Sequence, residues 1–162
     1  MRVLALAIVG VLAGCAAPMR EVTTAEALAP LMGCWRGTFE NVRDVYDERC
    51  FERLGAHIVD VHHVRPTSYS GETTYHDDGA GGIVFAYAAS DGGRSNGALR
   101  VDGDRYVVEP HTHRGGDGAE YRLRSTWALE GADRLVMSTE RQIDGAWQPF
   151  MRITYTRSSP QG

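Results

Sequence analysis

Six histidines and a scatter of carboxylates are the side chains best suited to chemistry in this 162-residue chain. Glu109, His111 and His113 stand at i, i+2 and i+4, so in an extended segment all three face one way. Two imidazoles and a carboxylate on one face are ligands for zinc or copper. Pro110 and the run Arg114-Gly115-Gly116-Asp117-Gly118 put this trio at a loop, where water competes and nothing orients the rings. The trio is therefore carried as a candidate only, and no bound metal is expected. His62 and His63 are adjacent, so they point to opposite faces of a strand and do not act together. Asp44, Asp47 and Glu48 near Arg49, and the pair Asp77-Asp78, have the residue types of acid–base chemistry. They fall at turns and strand ends, where acids are ordinarily solvated. Ser68, Ser70, Ser90, Ser95 and Ser125 form no nucleophile elbow, and there is neither a phosphate loop nor a dinucleotide fingerprint. No catalytic residue and no cofactor is expected.

The elements that must position these groups are strands. From Gly33 onward, turn signals recur at close intervals: Asp78-Gly79-Ala80-Gly81-Gly82, Asp91-Gly92-Gly93, Asp102-Gly103, Glu130-Gly131-Ala132-Asp133 and Asp144-Gly145. They divide the chain into ten expected strands, at 33–40, 46–53, 57–64, 68–76, 82–89, 95–101, 104–109, 119–129, 134–143 and 147–157. No helical period intervenes, so the expected fold class is all-β, an up-and-down antiparallel barrel with a sandwich as the alternative. A short helix precedes it: Thr23 and Glu26 have capping-box spacing and Pro30 stops the run. Leu28, Leu31 and Met32 either plug the bottom of the barrel or belong to a frayed linker.

Alternation assigns the faces. In the first strand Gly33, Trp35, Gly37 and Phe39 oppose Cys34, Arg36, Thr38 and Glu40. With Trp35 inward, antiparallel pairing about Val42 brings Asp47 and Arg49 to the same face. Tyr69, Thr73 and Tyr75 alternate in the fourth strand, Phe85 and Tyr87 in the fifth, and Thr139 and Arg141 take the inward parity of the ninth. Tyr121, Leu123, Trp127 and Leu129 share a face, as do Trp147, Met151, Ile153 and Tyr155. A three-residue bulged turn at Asp144-Gly145-Ala146 would set Met137 beside Ile153 and Leu135 beside Tyr155. Arg49, Tyr69, Tyr75, Phe85, Tyr87 and Arg141 thus become a tentative ligand-binding set, aromatic walls with a few polar anchors. The alternative is an interior filled by side chains.

Before the strands lies an address. Arg2 precedes an apolar run, Val3 to Val11, that ends in Leu12-Ala13-Gly14-Cys15. This resembles the bacterial lipobox, and the resemblance implies cleavage before Cys15 and lipidation of that residue, a lasting membrane anchor. Ala16 after the cysteine implies the outer membrane, facing the periplasm. The expected division is signal peptide 1–14, lipidated tether and short helix 15–32, barrel 33–157 and tail 158–162. Losing Arg2 leaves sixteen basic and twenty-one acidic side chains, a net charge of −5. That excludes nucleic acid as an expected partner; the membrane is met through the lipid, and no protein partner can be named. Cys34 and Cys50 remain, an even pair in an oxidising compartment, directly opposed if the turn centres near Val42. A disulfide is expected.

Gly33-x-Trp35 on a first strand after a helical lead-in resembles the opening of calycins: lipocalins, fatty-acid-binding proteins and nitrobindin-like barrels. The resemblance implies that Arg157 of the last strand lies over Trp35 where the barrel closes. Haem, bound in the nitrobindin branch, would want a histidine near the C-terminal strands, and none follows His113. Three functions stay open: a barrel that binds a small amphipathic or hydrophobic ligand, a solid interaction lipoprotein, and, least expected, an envelope enzyme.

Overall fold

The computed structural model describes residues 22–159. Cys15, the lipobox and the end of the tail lie outside these residues. Ten antiparallel strands close into a barrel in which each pairs with its neighbours in sequence and the last pairs with the first. They are β1 (Gly33–Phe39), β2 (Tyr46–Leu54), β3 (His57–Arg65), β4 (Ser70–Asp77), β5 (Ile83–Ala89), β6 (Arg94–Asp102), β7 (Arg105–Arg114), β8 (Glu120–Leu129), β9 (Arg134–Ile143) and β10 (Ala146–Ser158). The expected sandwich alternative falls away, because a closed ladder leaves no sheet edge.

The lead-in helix α1 is a single turn, Thr24–Ala27, followed by a 3-10 turn over Ala29–Leu31. Thr23 caps it as its spacing predicts: its hydroxyl accepts from the Glu26 amide, and Glu26 accepts from the Thr23 amide at 3.1 Å. The helix is pinned to the barrel rather than frayed. Thr24 donates its amide and hydroxyl to Asp77 at the end of β4, at 2.9 and 2.6 Å. Leu28 and Leu31 are fully buried, and Met32 packs against the core. Together they close one end of the barrel, above a layer formed by Trp35, Phe51, Ile58, Tyr106, Leu135 and Tyr155. The hydrophobic core runs from that plug into the barrel, where Tyr75, Phe85, Val108, Trp127, Met137 and Ile153 also line the cavity described below.

Trp35 is the centre of the closure. Its indole Nε1 donates to the Leu31 carbonyl at 2.7 Å, so the buried N–H is satisfied by the plug itself. Trp35 pairs with Arg157 across the β1–β10 seam, and the guanidinium lies 4.2 Å from the indole centroid. The same guanidinium donates to the carbonyls of Pro30, Met32 and Ala132 at 2.6–2.8 Å. Those carbonyls close the lead-in and the β8–β9 turn, so one side chain ties three segments. On the outer face, Cys34 and Cys50 are directly opposed and joined by a disulfide, with Cα atoms 4.1 Å apart.

Two local expectations need correction. The β9–β10 turn has two residues, Asp144 and Gly145, both at positive φ, and Ala146 pairs with Ile143. The extra residue enters later, as a bulge between Pro149 and Met151. It restores Ile153 opposite Met137 and Tyr155 opposite Leu135. Proline lacks an N–H for the ladder, so the bulge falls beside Pro149 rather than in the turn. Trp147 therefore faces out, under the guanidinium of Arg124 at 4.6 Å, and does not share a face with Met151. The second correction concerns β7, which continues through the segment read as a loop and reaches Arg114.

Candidate ligand-binding cavity

Above the closed end the barrel holds a cavity of about 700 Å³, within the range of small-molecule sites. Its walls differ. Strands β2 to β5, with Tyr69 just before β4, contribute Asp47, Arg49, His62, Tyr69, Tyr75 and Tyr87; strands β7 to β9 contribute His111, His113, Tyr121, Leu123, Met137 and Arg141.

The first wall is one hydrogen-bonded chain. Tyr69 and Tyr87 share a hydroxyl contact of 2.7 Å, and Tyr87 Oη lies 3.2 Å from His62 Nε2. His62 Nδ1 lies 2.9 Å from Asp47 Oδ1. Asp47 Oδ2 accepts from Tyr155 at 2.7 Å and from Arg49 Nε at 3.4 Å. Arg49 Nη1 donates to Asp60 Oδ2 at 2.6 Å, and Tyr75 donates to the same oxygen at 3.2 Å. Glycines make the crowding feasible. A Cβ on Gly71 would fall 2.4 Å from Tyr87 Oη and 2.5 Å from His62 Nε2, and one on Gly37 would enter the Tyr155 ring.

Burial and pairing compete on each carboxyl. Burial works to raise Asp47, but the hydrogen bond from His62 and the charge of Arg49 outweigh it and hold the group below the ordinary carboxylate range. At Asp60 burial wins despite Arg49, and the group is raised. Asp60 is fully buried, and its Oδ1 has no hydrogen-bond partner among the described residues. Burial also raises Tyr75, Tyr87 and Tyr155, so these phenols stay protonated across the physiological range.

The chain has a direction. An ionised Asp47 only accepts, so the hydrogen between it and His62 belongs to Nδ1. Neutral His62 then accepts at Nε2 from Tyr87, which accepts from Tyr69, and the Tyr69 oxygen is left to accept from the cavity. A protonated His62 reverses each step, and Tyr69 becomes a donor to the cavity. The wall thus couples the hydrogen-bonding sense of Tyr69 to one proton on His62.

The second wall is built differently. His111 and His113 face the cavity, and burial lowers both, favouring the neutral ring. They do not join Glu109 as a metal trio. A bulge between Val108 and His111 inserts a residue and reverses the parity, so Glu109 faces out and pairs with Arg100 at 3.4 Å. Among the described residues no group of three or more His, Cys, Asp or Glu side chains could hold a metal ion. Arg141 lies across the sheet from Leu123, with its guanidinium 5.7 Å from the Tyr121 ring centroid and 5.2 Å from that of Phe150. Its Nε is buried without a hydrogen-bond partner among the described residues.

All six residues of the tentative ligand set, Arg49, Tyr69, Tyr75, Phe85, Tyr87 and Arg141, line this cavity. Sequence reasoning missed two members of the first wall, Asp60 and His62. Apolar residues occupy both parities of β3: Ile58 and Val64 inward, Val59 and Val61 on the other. The register was the available signal, since Arg49 pairs with His62 and Phe51 with Asp60. The inward parity of β2 therefore carries over to Asp60 and His62.

Compared with known proteins, the chain matches no family model and no curated relative. Among solved structures it is similar to the crystal structure of Rv2717c from M. tuberculosis, at 18% identity over 83% of this chain and 96% of that one, with a TM-score of 0.57. At that identity the likeness is one of fold.

Proposed function

We propose that this chain is a lipid-anchored envelope protein whose barrel binds a small amphipathic ligand. The observation that carries the binding reading is the cavity of about 700 Å³, closed at one end by the α1 plug and lined by aromatic and aliphatic side chains with polar anchors among them. A solid interaction barrel would have filled that volume with side chains. The envelope half of the reading rests on Leu12-Ala13-Gly14-Cys15 after its apolar run, and on the Cys34–Cys50 disulfide, which suits an oxidising compartment. Native mass spectrometry of the protein purified from its own envelope tests the first half: a small-molecule adduct supports it, and an unliganded mass that no added amphiphile changes overturns it. Fractionation of Cys15→Ala tests the second: the variant should be soluble or unprocessed, whereas processed, tightly bound protein would contradict the anchor.

A second reading, an envelope enzyme, is favoured by the Asp47–His62–Tyr87–Tyr69 relay. A carboxylate orients the imidazole, and the imidazole sets which way a cavity-facing phenol moves its proton, the arrangement general acid–base chemistry requires. Turnover of a carbonyl-bearing amphiphile by the wild type, lost in His62→Gln with binding retained, would establish it. Binding without turnover in both proteins leaves the carrier reading.

A further inference from the structure

Arg49 and Arg141 both line the cavity, yet only one is neutralised. Arg49 contacts two carboxylates, Asp47 and Asp60. Arg141 makes no ion pair among the described residues, and its Nε is buried with no acceptor. Glu140, its neighbour in sequence, does not compete for it, because it faces out and bonds Arg124 at 2.6 Å. The rings of Tyr121 and Phe150 flank the guanidinium. They contribute cation–π attraction, but they offer no acceptor in the plane of the fork. A buried donor without an acceptor is costly, and such a group in a binding cavity points to what the ligand supplies.

Resting on the ligand-binding reading above, we infer that the ligand is a monoanionic amphiphile whose acidic head takes the unpaired fork of Arg141, with its apolar body against Leu123, Met137, Trp127 and Phe85. The single charge follows from the count. Arg49 already contacts both Asp47 and Asp60, and burial favours the neutral forms of His111 and His113, so among the described residues Arg141 is the one lining arginine left without a carboxylate. A planar guanidinium matches two oxygens of a carboxylate or of a phosphodiester, and both carry one charge at neutral pH. A phosphomonoester, nearly doubly charged, would go half unpaired.

Calorimetric titration of the purified full-length chain, free of detergent, separates these cases with four ligands of one chain length: dodecanoate, dodecyl methyl phosphate, dodecanol and dodecyltrimethylammonium. Both anions should bind at least about tenfold more tightly than the alcohol, the scale of a charge-assisted hydrogen bond. The tighter of the two identifies the head as carboxylate or phosphodiester. Arg141→Gln should erase the preference while keeping affinity for dodecanol; Arg141→Lys, which keeps the charge but loses the fork, should retain part of it. Circular dichroism checks that each variant folds, and if Arg141→Gln does not, the wild-type series and Arg141→Lys still decide. Dodecanol binding as tightly as the anions, the ammonium binding best, or Arg141→Gln retaining the preference would each overturn the head assignment while leaving a ligand-binding barrel. No binding by any of the four would remove the underlying reading as well.

Discussion

Arg49 and Arg141 occupy opposite walls of one cavity, carry the same side chain, and answer to different demands. Arg49 is held between Asp47 and Asp60 inside a network whose remaining partners are Tyr75, Tyr155 and His62. Arg141 has rings beside it and, among the described residues, no counter-charge. The first arrangement is a structure the folded chain completes by itself. The second, on the reading proposed above, awaits an acceptor from a ligand. Inward-facing charge is therefore not a signature of binding; inward-facing charge left unpaired is.

The contrast breaks most sharply on stability. Arg49→Met strands Asp47 and Asp60 without their cation, and should cost about 3–5 kcal/mol. Arg141→Met leaves no orphaned carboxylate and should cost less than about 1 kcal/mol. Urea denaturation of both variants measures the difference, and equal losses would mean that Arg141 too belongs to a structural network. Next in size is the disulfide of the closed end. Cys34→Ser with Cys50→Ser reopens a loop whose ends are separated by 16 residues, at about 3 kcal/mol in the chain-entropy model. The same melts should show it, with little change in ligand affinity at the other end. Arg157→Ala comes third. It removes the ring contact and three hydrogen bonds to the lead-in and the β8–β9 turn, at about 1–2 kcal/mol given partial exposure. Hydrogen exchange should rise first in α1 and around Leu31.

The smallest expected effect sharpens the comparison within the first wall. Asp47 is depressed in the folded state, so its stabilisation is fully present above the unfolded carboxyl value of about 4 and is lost as pH falls through the lower folded value. Asp60 is raised, so its sign is opposite: it disfavours folding once ionised, and the penalty is relieved as pH falls through its folded value. Denaturation profiles of Asp47→Asn and Asp60→Asn should therefore depart from wild type in opposite directions. Asp47→Asn loses stability at neutral pH and converges with wild type in strong acid. Asp60→Asn loses the gain that wild type makes on entering the acid range. Parallel profiles would show that the two carboxyls share one titration.

The closed end was far more legible than the cavity. The parity of Cys34 and Cys50 depends only on counting residues outward from the single turn at Val42, and the meeting of Trp35 with Arg157 follows from an even strand count that pairs the first strand with the last, as the calycin resemblance implies. Errors do not accumulate over such a short count. The Glu109–His111–His113 trio and Trp147 were misread because one inserted residue reverses every face beyond it. Pro110 and Pro149 mark both bulges in the sequence, but a proline can equally end a strand. Asp60 and His62 were hidden by a different ambiguity, since β3 is apolar on both parities.

Sequence alone determined the class of the fold, the ten strands to within a few residues apart from the far end of β7, the disulfide and the capped lead-in, because each rests on local period, turn chemistry or one hairpin's register. Tertiary structure decided which polar groups meet. Asp47 receives Tyr155 from 108 residues away, and whether Arg49 or Arg141 finds a carboxylate depends on which strands face each other across the closed barrel. A charge's partner is a matter of distance in space, and only barrel closure fixes that distance.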